Sequence, residues 1–204
     1  MYKRIVRNSD GEYIGEEILD NDKVLSVRSL LNNYDYKYDD QGRILEKITY
    51  SNLFKEEIKY KEIHKYEKME DNNYKEYIFQ DECLCYEVFH IFKENIEIIN
   101  KIRYNEEGVL LDVDSYWVTY SDNKKVIFES HPCGGNKDFK YDEKGRLIEV
   151  TEYNDYFITN KKYEYIGDTD ACSKIYESTT SIEANEIISI YEKYYEYEKI
   201  EEGE

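Results

Sequence analysis

One short pattern governs what this chain can fold into. Tyr38-Asp39-Asp40-Gln41-Gly42-Arg43-Ile44, Tyr104-Asn105-Glu106-Glu107-Gly108-Val109-Leu110 and Tyr141-Asp142-Glu143-Lys144-Gly145-Arg146-Leu147 are copies of it, and Arg7-Asn8-Ser9-Asp10-Gly11-Glu12-Tyr13 is a worn further copy. An Asp or Asn placed ahead of Gly in this way suits a type I turn closed by a left-handed residue. The Asx side chain accepts backbone N–H bonds, and Gly takes positive φ without steric cost. The product is a tight hairpin loop with a bulge. This geometry predicts Tyr38 across from Ile44, Tyr104 across from Leu110 and Tyr141 across from Leu147. Farther along each copy come an acid (Glu46, Asp112, Glu149) and a second tyrosine (Tyr50, Tyr116, Tyr153), all at even offsets from the first. Even offsets share one face of a strand. Each repeat is therefore expected to show Tyr, aliphatic, acid and Tyr along one side, subject to displacement by the bulge.

Turn signals recur about every ten residues, as an antiparallel meander requires. They fall at Asp10-Gly11, Asp20-Asn21-Asp22, Gln41-Gly42, Asp71-Asn72-Asn73, Asp81-Glu82 and Glu94-Asn95. They continue at Glu107-Gly108, Ser121-Asp122-Asn123, Gly134-Gly135-Asn136, Lys144-Gly145, Asn154-Asp155 and Gly167-Asp168. Pro132 is the single proline, and an extensive sheet needs the N–H donors that proline lacks. The predicted fold is all-β: one β-repeat domain over residues 1–204, an extended twisted antiparallel meander with scope to curl into a half-barrel. Val24 to Asn33 reads as short helix or strand. Residues 182–197 read as helix by Glu and Lys content and as strand by the parity of Tyr191, Tyr195 and Tyr197; strand is preferred. Glu201 to Glu204 reads as a frayed tail.

Tyrosine, with 24 copies, is an abundant large side chain. It brings an apolar body and a hydroxyl that needs a partner when buried, which suits a thin sheet with one packed and one wet face. The net charge is −18, which excludes nucleic acid and anionic membrane as partners, since both need cationic contacts. From Thr151 to Glu204 there are 5 basic and 14 acidic residues, so half of the net charge lies in the last quarter. No apolar run follows the basic residues of Met1 to Arg7, so no signal peptide is expected, and no apolar segment is long enough for a spanning helix. Cys83, Cys85, Cys133 and Cys172 show no disulfide spacing, and a cytoplasmic protein with reduced thiols is expected.

Candidate chemistry is sparse. Cys83-x-Cys85 with His131-Pro132-Cys133 could supply zinc ligands, but the paired knuckles of a structural zinc site are missing, and small buried hydrophobes are the preferred reading of the cysteines. His64, His90 and His131 belong to no nucleophile motif and read as packing or surface residues. Asp112-Val113-Asp114 and Asp168-Thr169-Asp170 lack the Gly and distal Glu of a calcium loop, and no phosphate-cradling loop is present. Neither a catalytic activity nor a cofactor or metal is expected.

Tyr-Asp-x-x-Gly-Arg-Leu/Ile resembles the YD repeat of the RHS family, best over residues 36–50 and 139–153. Residues 102–116 depart from it with Asn105 and Val109, and the N-terminal copy lacks the Tyr. The resemblance implies a β-hairpin array and is silent on activity. In size the chain is similar to small intracellular YD-like repeat proteins, several of which are immunity proteins or antitoxins. That implies a non-enzymatic protein which occludes a basic toxin domain. Acidic charge would steer the encounter and exposed tyrosines would anchor it. Glu192, Tyr194, Glu196 and Glu198 are the first candidate contacts, with Asn154, Asp155 and Tyr156 second. Asp39, Gly42, Asp142 and Gly145 are assigned to the fold. A surface or carbohydrate-binding YD-repeat module is the alternative.

Overall fold

A computed structural model describes residues 1–21, 23–29, 33–51, 57–132 and 135–199. They form sixteen strands: β1 (Tyr2–Asn8), β2 (Tyr13–Asp20), β3 (Lys23–Ser29), β4 (Asn33–Tyr38), β5 (Ile44–Tyr50), β6 (Ile58–Lys68), β7 (Tyr74–Gln80) and β8 (Cys83–Lys93), then β9 (Ile96–Tyr104), β10 (Leu110–Tyr120), β11 (Val126–His131), β12 (Gly135–Tyr141), β13 (Leu147–Tyr153), β14 (Phe157–Tyr165), β15 (Cys172–Ser181) and β16 (Glu186–Lys199). Each strand pairs antiparallel with its neighbours in sequence. β1 also pairs with β16, from Tyr2 opposite Lys199 to Asn8 opposite Lys193. The expected meander thus curls beyond a half-barrel and closes, which removes the two edges an open sheet would leave.

The repeat turns form as their residue types require. Gly42 N–H donates to the Asp39 carbonyl at 2.9 Å and Asp39 N–H to the Arg43 carbonyl at 2.9 Å, while Asp39 Oδ1 accepts from the N–H groups of Gln41 and Arg43. Asp142 and Gly145 repeat this arrangement. Gly42 and Gly145 have φ of 84° and 79°, where a side chain would be strained. Tyr38 lies opposite Ile44, Tyr104 opposite Leu110 and Tyr141 opposite Leu147, each beside a register shift.

That shift overturns the single-faced repeat. A slip of one residue sends a side chain to the other face. Tyr38 stacks on Tyr36, whereas Glu46 bonds Lys37 and Tyr50 bonds Asp35 on the opposite face. In the copy at Tyr104 the faces are exchanged.

In a closed sheet, side chains on the concave face converge and bury one another. Val6, Thr49, Val88, Glu97, Ile99, Val118 and Val150 are buried, and the registers place all of them on one face. That face is taken as the interior. Its apolar centre is small: Val88, Ile99 and Val118, flanked by Ile78, Tyr86, Tyr116, Tyr120 and Val126. The convex face carries ion pairs in the middle of strands, such as Lys37–Glu46–Lys61 and Lys75–Glu87. A lipid-facing apolar band does not carry such charges.

The two ends of the barrel differ. At the first end, tyrosine hydroxyls clasp strand-start carbonyls. Tyr38 donates to Val24, Tyr66 to Ile44, Tyr141 to Val126, Tyr165 to Leu147 and Tyr197 to Cys172, at 2.7–2.9 Å. In the first four, the residue before the acceptor sets its cation over the donating ring: Lys23, Arg43, Lys125 and Arg146, at 4.2–5.5 Å from the centroid. The Arg of the repeat is therefore half of a clasp whose Tyr comes from the next hairpin. The clasps of β3–β6 recur in β11–β14, and the Asn8 turn after β1 recurs as the Asn105 turn after β9. The ring is a pseudo-twofold of two eight-strand halves.

Other expectations resolve as follows. Val24 to Ser29 is strand, residues 30–32 lie outside the described residues, and Asn33 opens β4. Residues 186–199 are strand, as preferred, but residues 182–185 form a turn through Asn185 at φ 51°. Cys172 is buried as expected, whereas Cys83 is exposed at a strand start. Cys133, Asp22, Gly134 and Glu201 to Glu204 lie outside the described residues.

Candidate protein-binding rim and the buried histidine–glutamate chain

The second end of the barrel is formed by the β1–β2, β5–β6, β7–β8, β9–β10, β13–β14 and β15–β16 turns together with the β3–β4 and β11–β12 connections. Its described turns carry Asp10, Glu12, Glu57, Asp81 and Glu82, then Glu106, Glu107, Asp155 and Glu183, and no Lys or Arg. The clasped end also has acids, but Arg43, Lys124, Lys125, Lys144 and Arg146 are interleaved with them. The acidic end further shows large apolar side chains to solvent. Val109, Leu110, Leu111 and Val113 do so on the β9–β10 hairpin, and Ile182, Ile187, Ile188 and Ile190 on the β15–β16 hairpin.

Both hairpins reach past their neighbours. β10 pairs with β9 from Leu110 to Thr119 but with β11 only from Trp117. β16 pairs with β15 from Glu186 to Tyr194 but with β1 only from Lys193. Their twofold counterparts are shorter: β1 and β2 have 7 and 8 residues against 9 and 11 in β9 and β10, and β7 and β8 have 7 and 11 against 10 and 14 in β15 and β16.

The candidate contacts divide accordingly. Glu192, Tyr194, Glu196 and Glu198 share the convex face of β16. Glu192 pairs with Lys174 at 2.8 Å and accepts the Tyr194 hydroxyl at 2.6 Å, and Glu196 pairs with Arg7 at 3.0 Å. The Lys174 hydrogen bond, then that of Tyr194, holds the Glu192 carboxyl below the usual carboxylate range. Glu198 lies opposite Lys3. These acids are thus partly neutralised within the chain. Asn154 Oδ1 accepts the N–H groups of Tyr156 and Phe157 and closes their turn. Tyr156 is 71% exposed, and its carbonyl accepts the Ile182 N–H at 2.9 Å. Asn154, Asp155 and Tyr156 therefore sit at the base of the protruding β15–β16 hairpin, while Glu196 and Glu198 lie toward the clasped end. The aliphatic hairpin tips went unnoticed in the sequence reading. Their signal was Leu110-Leu111 and Ile187-Ile188 directly beside turns.

The concave face brings together groups that the sequence left separate. His64 Nδ1 is 2.7 Å from Glu76 Oε1, His90 Nδ1 is 2.6 Å from Glu97 Oε1, and His90 Nε2 is 3.5 Å from Glu76 Oε2. The last contact is an ion pair without hydrogen-bond geometry, and His64 Nε2 and His90 Nε2 are both buried without a hydrogen-bond partner. The Tyr66 hydroxyl, whose single proton is shared with the Ile44 carbonyl, lies 2.9 Å from Glu76 Oε1, and Tyr120 donates to Glu97 at 2.5 Å. Tyr74 stacks on His90 at 4.2 Å, and Tyr116 on His131 at 4.4 Å. Burial alone would raise the Glu76 carboxyl, but hydrogen bonds from His64 and Tyr66 and the nearby His90 ring outweigh it and hold the group at about 2. Burial would lower His90, and the adjacent Glu76 and Glu97 carboxylates raise it instead. Burial, then Glu97 and Glu76, pushes Tyr74 up to about 12. This chain ties β6 to β10 from within. Among the described residues, no three His, Cys, Asp or Glu side chains converge as a metal site. A register shift in β7–β8 separates Cys83, opposite Gln80 on the concave parity, from Cys85 on the convex face, and His131 lies on the concave face.

No protein-family profile matches the chain, and no curated protein matches it. Among solved structures, a Bacteroides fragilis protein of unknown function is similar at 10% identity, over 70% of this chain and 89% of that one, with a TM-score of 0.28. A likeness at that score carries no argument about this chain.

Proposed function

We propose that this is a non-enzymatic cytoplasmic binding protein of the immunity or antitoxin kind, which neutralises a basic bacterial toxin by covering it. The observation that carries the reading is the acidic end: turns with acids and no described cation, set around two protruding hairpins with exposed aliphatic side chains. Acidic fields attract a cationic domain, such as a nuclease cleft, and can raise association rates by roughly 10–10³-fold. Exposed apolar patches beside polar rims mark protein-binding surfaces. Val113 and Ile187, 57% and 58% exposed, and Tyr156 take the place of anchors. The resemblance to small YD-type repeat proteins points the same way. The sugar-binding alternative has less support, because many concave tyrosine hydroxyls are already donated to carbonyls and carboxylates.

The test is co-expression with a toxin encoded beside this gene. Rescue of cells that otherwise die, together with a stable complex, supports the reading. Absence of a complex with any neighbouring gene product removes it. Association should also slow markedly as salt rises from about 0.05 to 0.5 M. A salt-independent on-rate would reject steering even in a real complex.

A further inference from the structure

The β15–β16 hairpin leaves one strand edge without a partner. β1 stops at Asn8, opposite Lys193, where the chain turns into β2. From Glu186 to Glu192 β16 is paired to β15 alone, and among the described residues nothing pairs with its other edge. The run is about 23 Å long at the rise of an extended strand. Residues 186–191 are all exposed, so this strand is wet on both faces as well as along one edge. Its sequence, Glu-Ile-Ile-Ser-Ile-Tyr-Glu, contains no proline and no lysine, the usual protections of an open edge. A register shift beside Thr179 and Thr180 leaves Ile188 unpaired on β16, so a bulge is the one protection present. An exposed edge of this composition is a template for a further strand.

We propose that this edge receives an extended, basic segment of the protein partner by strand addition, continuing the sheet beyond the end of β1. The proposal rests on the reading of the acidic end as a binding rim and specifies how the partner is held. Charge selects the occupant. Two copies of this chain laid antiparallel over the full run would set Glu186 against Glu192 at both ends, between bodies of net charge −18 each. A segment with Lys or Arg meets Glu183, Glu186, Asp10 and Glu12 instead. An added strand also runs beside a cavity of about 460 Å³ that Tyr191, Lys193, Val6, Gly15 and Val27 help to line. Alternate side chains of the incoming strand point toward that cavity, and the others lie along Ile190.

The experiment uses the full chain and three labelled nonapeptides read by fluorescence anisotropy. The first alternates Val and Lys, the second alternates Val and Glu, and the third is the Val/Lys peptide with alternate backbone amides methylated. Strand addition requires the Val/Lys peptide to bind at least tenfold more tightly than either of the others. Ile190→Lys should weaken it at least tenfold, whereas Met69→Lys, the same charge change at the clasped end, should leave it within twofold. Melting curves of both variants check folding. Equal binding of the methylated peptide overturns strand addition but leaves acidic docking intact. Failure of every peptide up to millimolar concentration also overturns strand addition, and the toxin co-expression result then stands or falls separately. A dimer of the free protein that Ile190→Lys dissolves would assign the edge to a second copy and overturn the basic occupant.

Discussion

The two ends of this barrel are made by the same kind of hairpin and do different things with it. At the clasped end a cation beside four of the turns sits over a tyrosine from the next hairpin, whose hydroxyl closes on a strand-start carbonyl. Acid, base and aromatic groups satisfy one another there. At the other end the turns hold acids with no described cation among them, and two hairpins outgrow their neighbours with aliphatic side chains in water. The contrast separates residues that hold the ring shut from residues that the ring leaves exposed. It also explains why counting charge was a poor guide. Glu192 and Glu196 stand in the acidic last quarter but are paired with Lys174 and Arg7, while the unpaired negative surface is spread over turns from Asp10 to Glu183.

Four measurements test this contrast. The largest effect is expected from Glu97→Ala, which strips a buried carboxylate from His90 and Tyr120 beside the clasped end. Loss of one member of such a network costs about 3–5 kcal/mol, and urea unfolding should show it. A loss under about 1 kcal/mol would mean that the chain from His64 to Tyr120 is incidental. Tyr165→Phe removes a single hydroxyl that bonds the Leu147 carbonyl at 2.7 Å, and should cost about 1 kcal/mol. Tyr156→Phe, at the open end, should cost nothing measurable. Equal losses for the two would erase the distinction between ends.

The third measurement is the pH profile of stability. Glu76 is held at about 2, below its unfolded value near ~4.3. Its contribution is therefore present above ~4.3 and is lost as pH falls toward 2. His90 is raised in the fold, so its contribution is complete below ~6.5 and is lost as pH rises through the folded value. Urea midpoints should peak between about pH 4 and 7, and His90→Gln should flatten the alkaline fall. An unchanged alkaline limb in that variant would assign the fall to another group. The smallest effect on stability is expected from Val113→Ser, within about 0.5 kcal/mol. Its partner affinity should nonetheless drop at least tenfold, read by titration calorimetry against the cognate toxin. A stability loss without an affinity loss would place the β9–β10 tip in the fold rather than in the rim.

Much of the fold was legible in the residues. The Asx-to-Gly spacing located four turns and their bulges, because backbone conformation at those positions is a local matter. The shared parity of Tyr191, Tyr195 and Tyr197 favoured strand for residues 182–197, and residues 186–197 are strand. The single-faced reading of the whole repeat failed because the bulge that the same residues create shifts parity across it. The candidate site was legible only in part. Asn154, Asp155 and Tyr156 were found from turn chemistry and exposure. The apolar tips were not, because Ile187 and Leu111 look like core residues until the length of neighbouring strands is known. His64, Glu76, His90 and Glu97 lie up to 33 positions apart in the chain, with no spacing that announces a network.

Local residue chemistry dictates where the chain turns, that it is built of antiparallel hairpins, and that tyrosine is abundant along them. These follow from single-residue conformational preference and side-chain chemistry. That β1 meets β16, that the halves repeat, and that one end is clasped while the other is left open emerge from the assembled sheet alone. Those outcomes depend on register accumulated around sixteen strands and on which hairpins outrun their neighbours, quantities that no local stretch of residues contains.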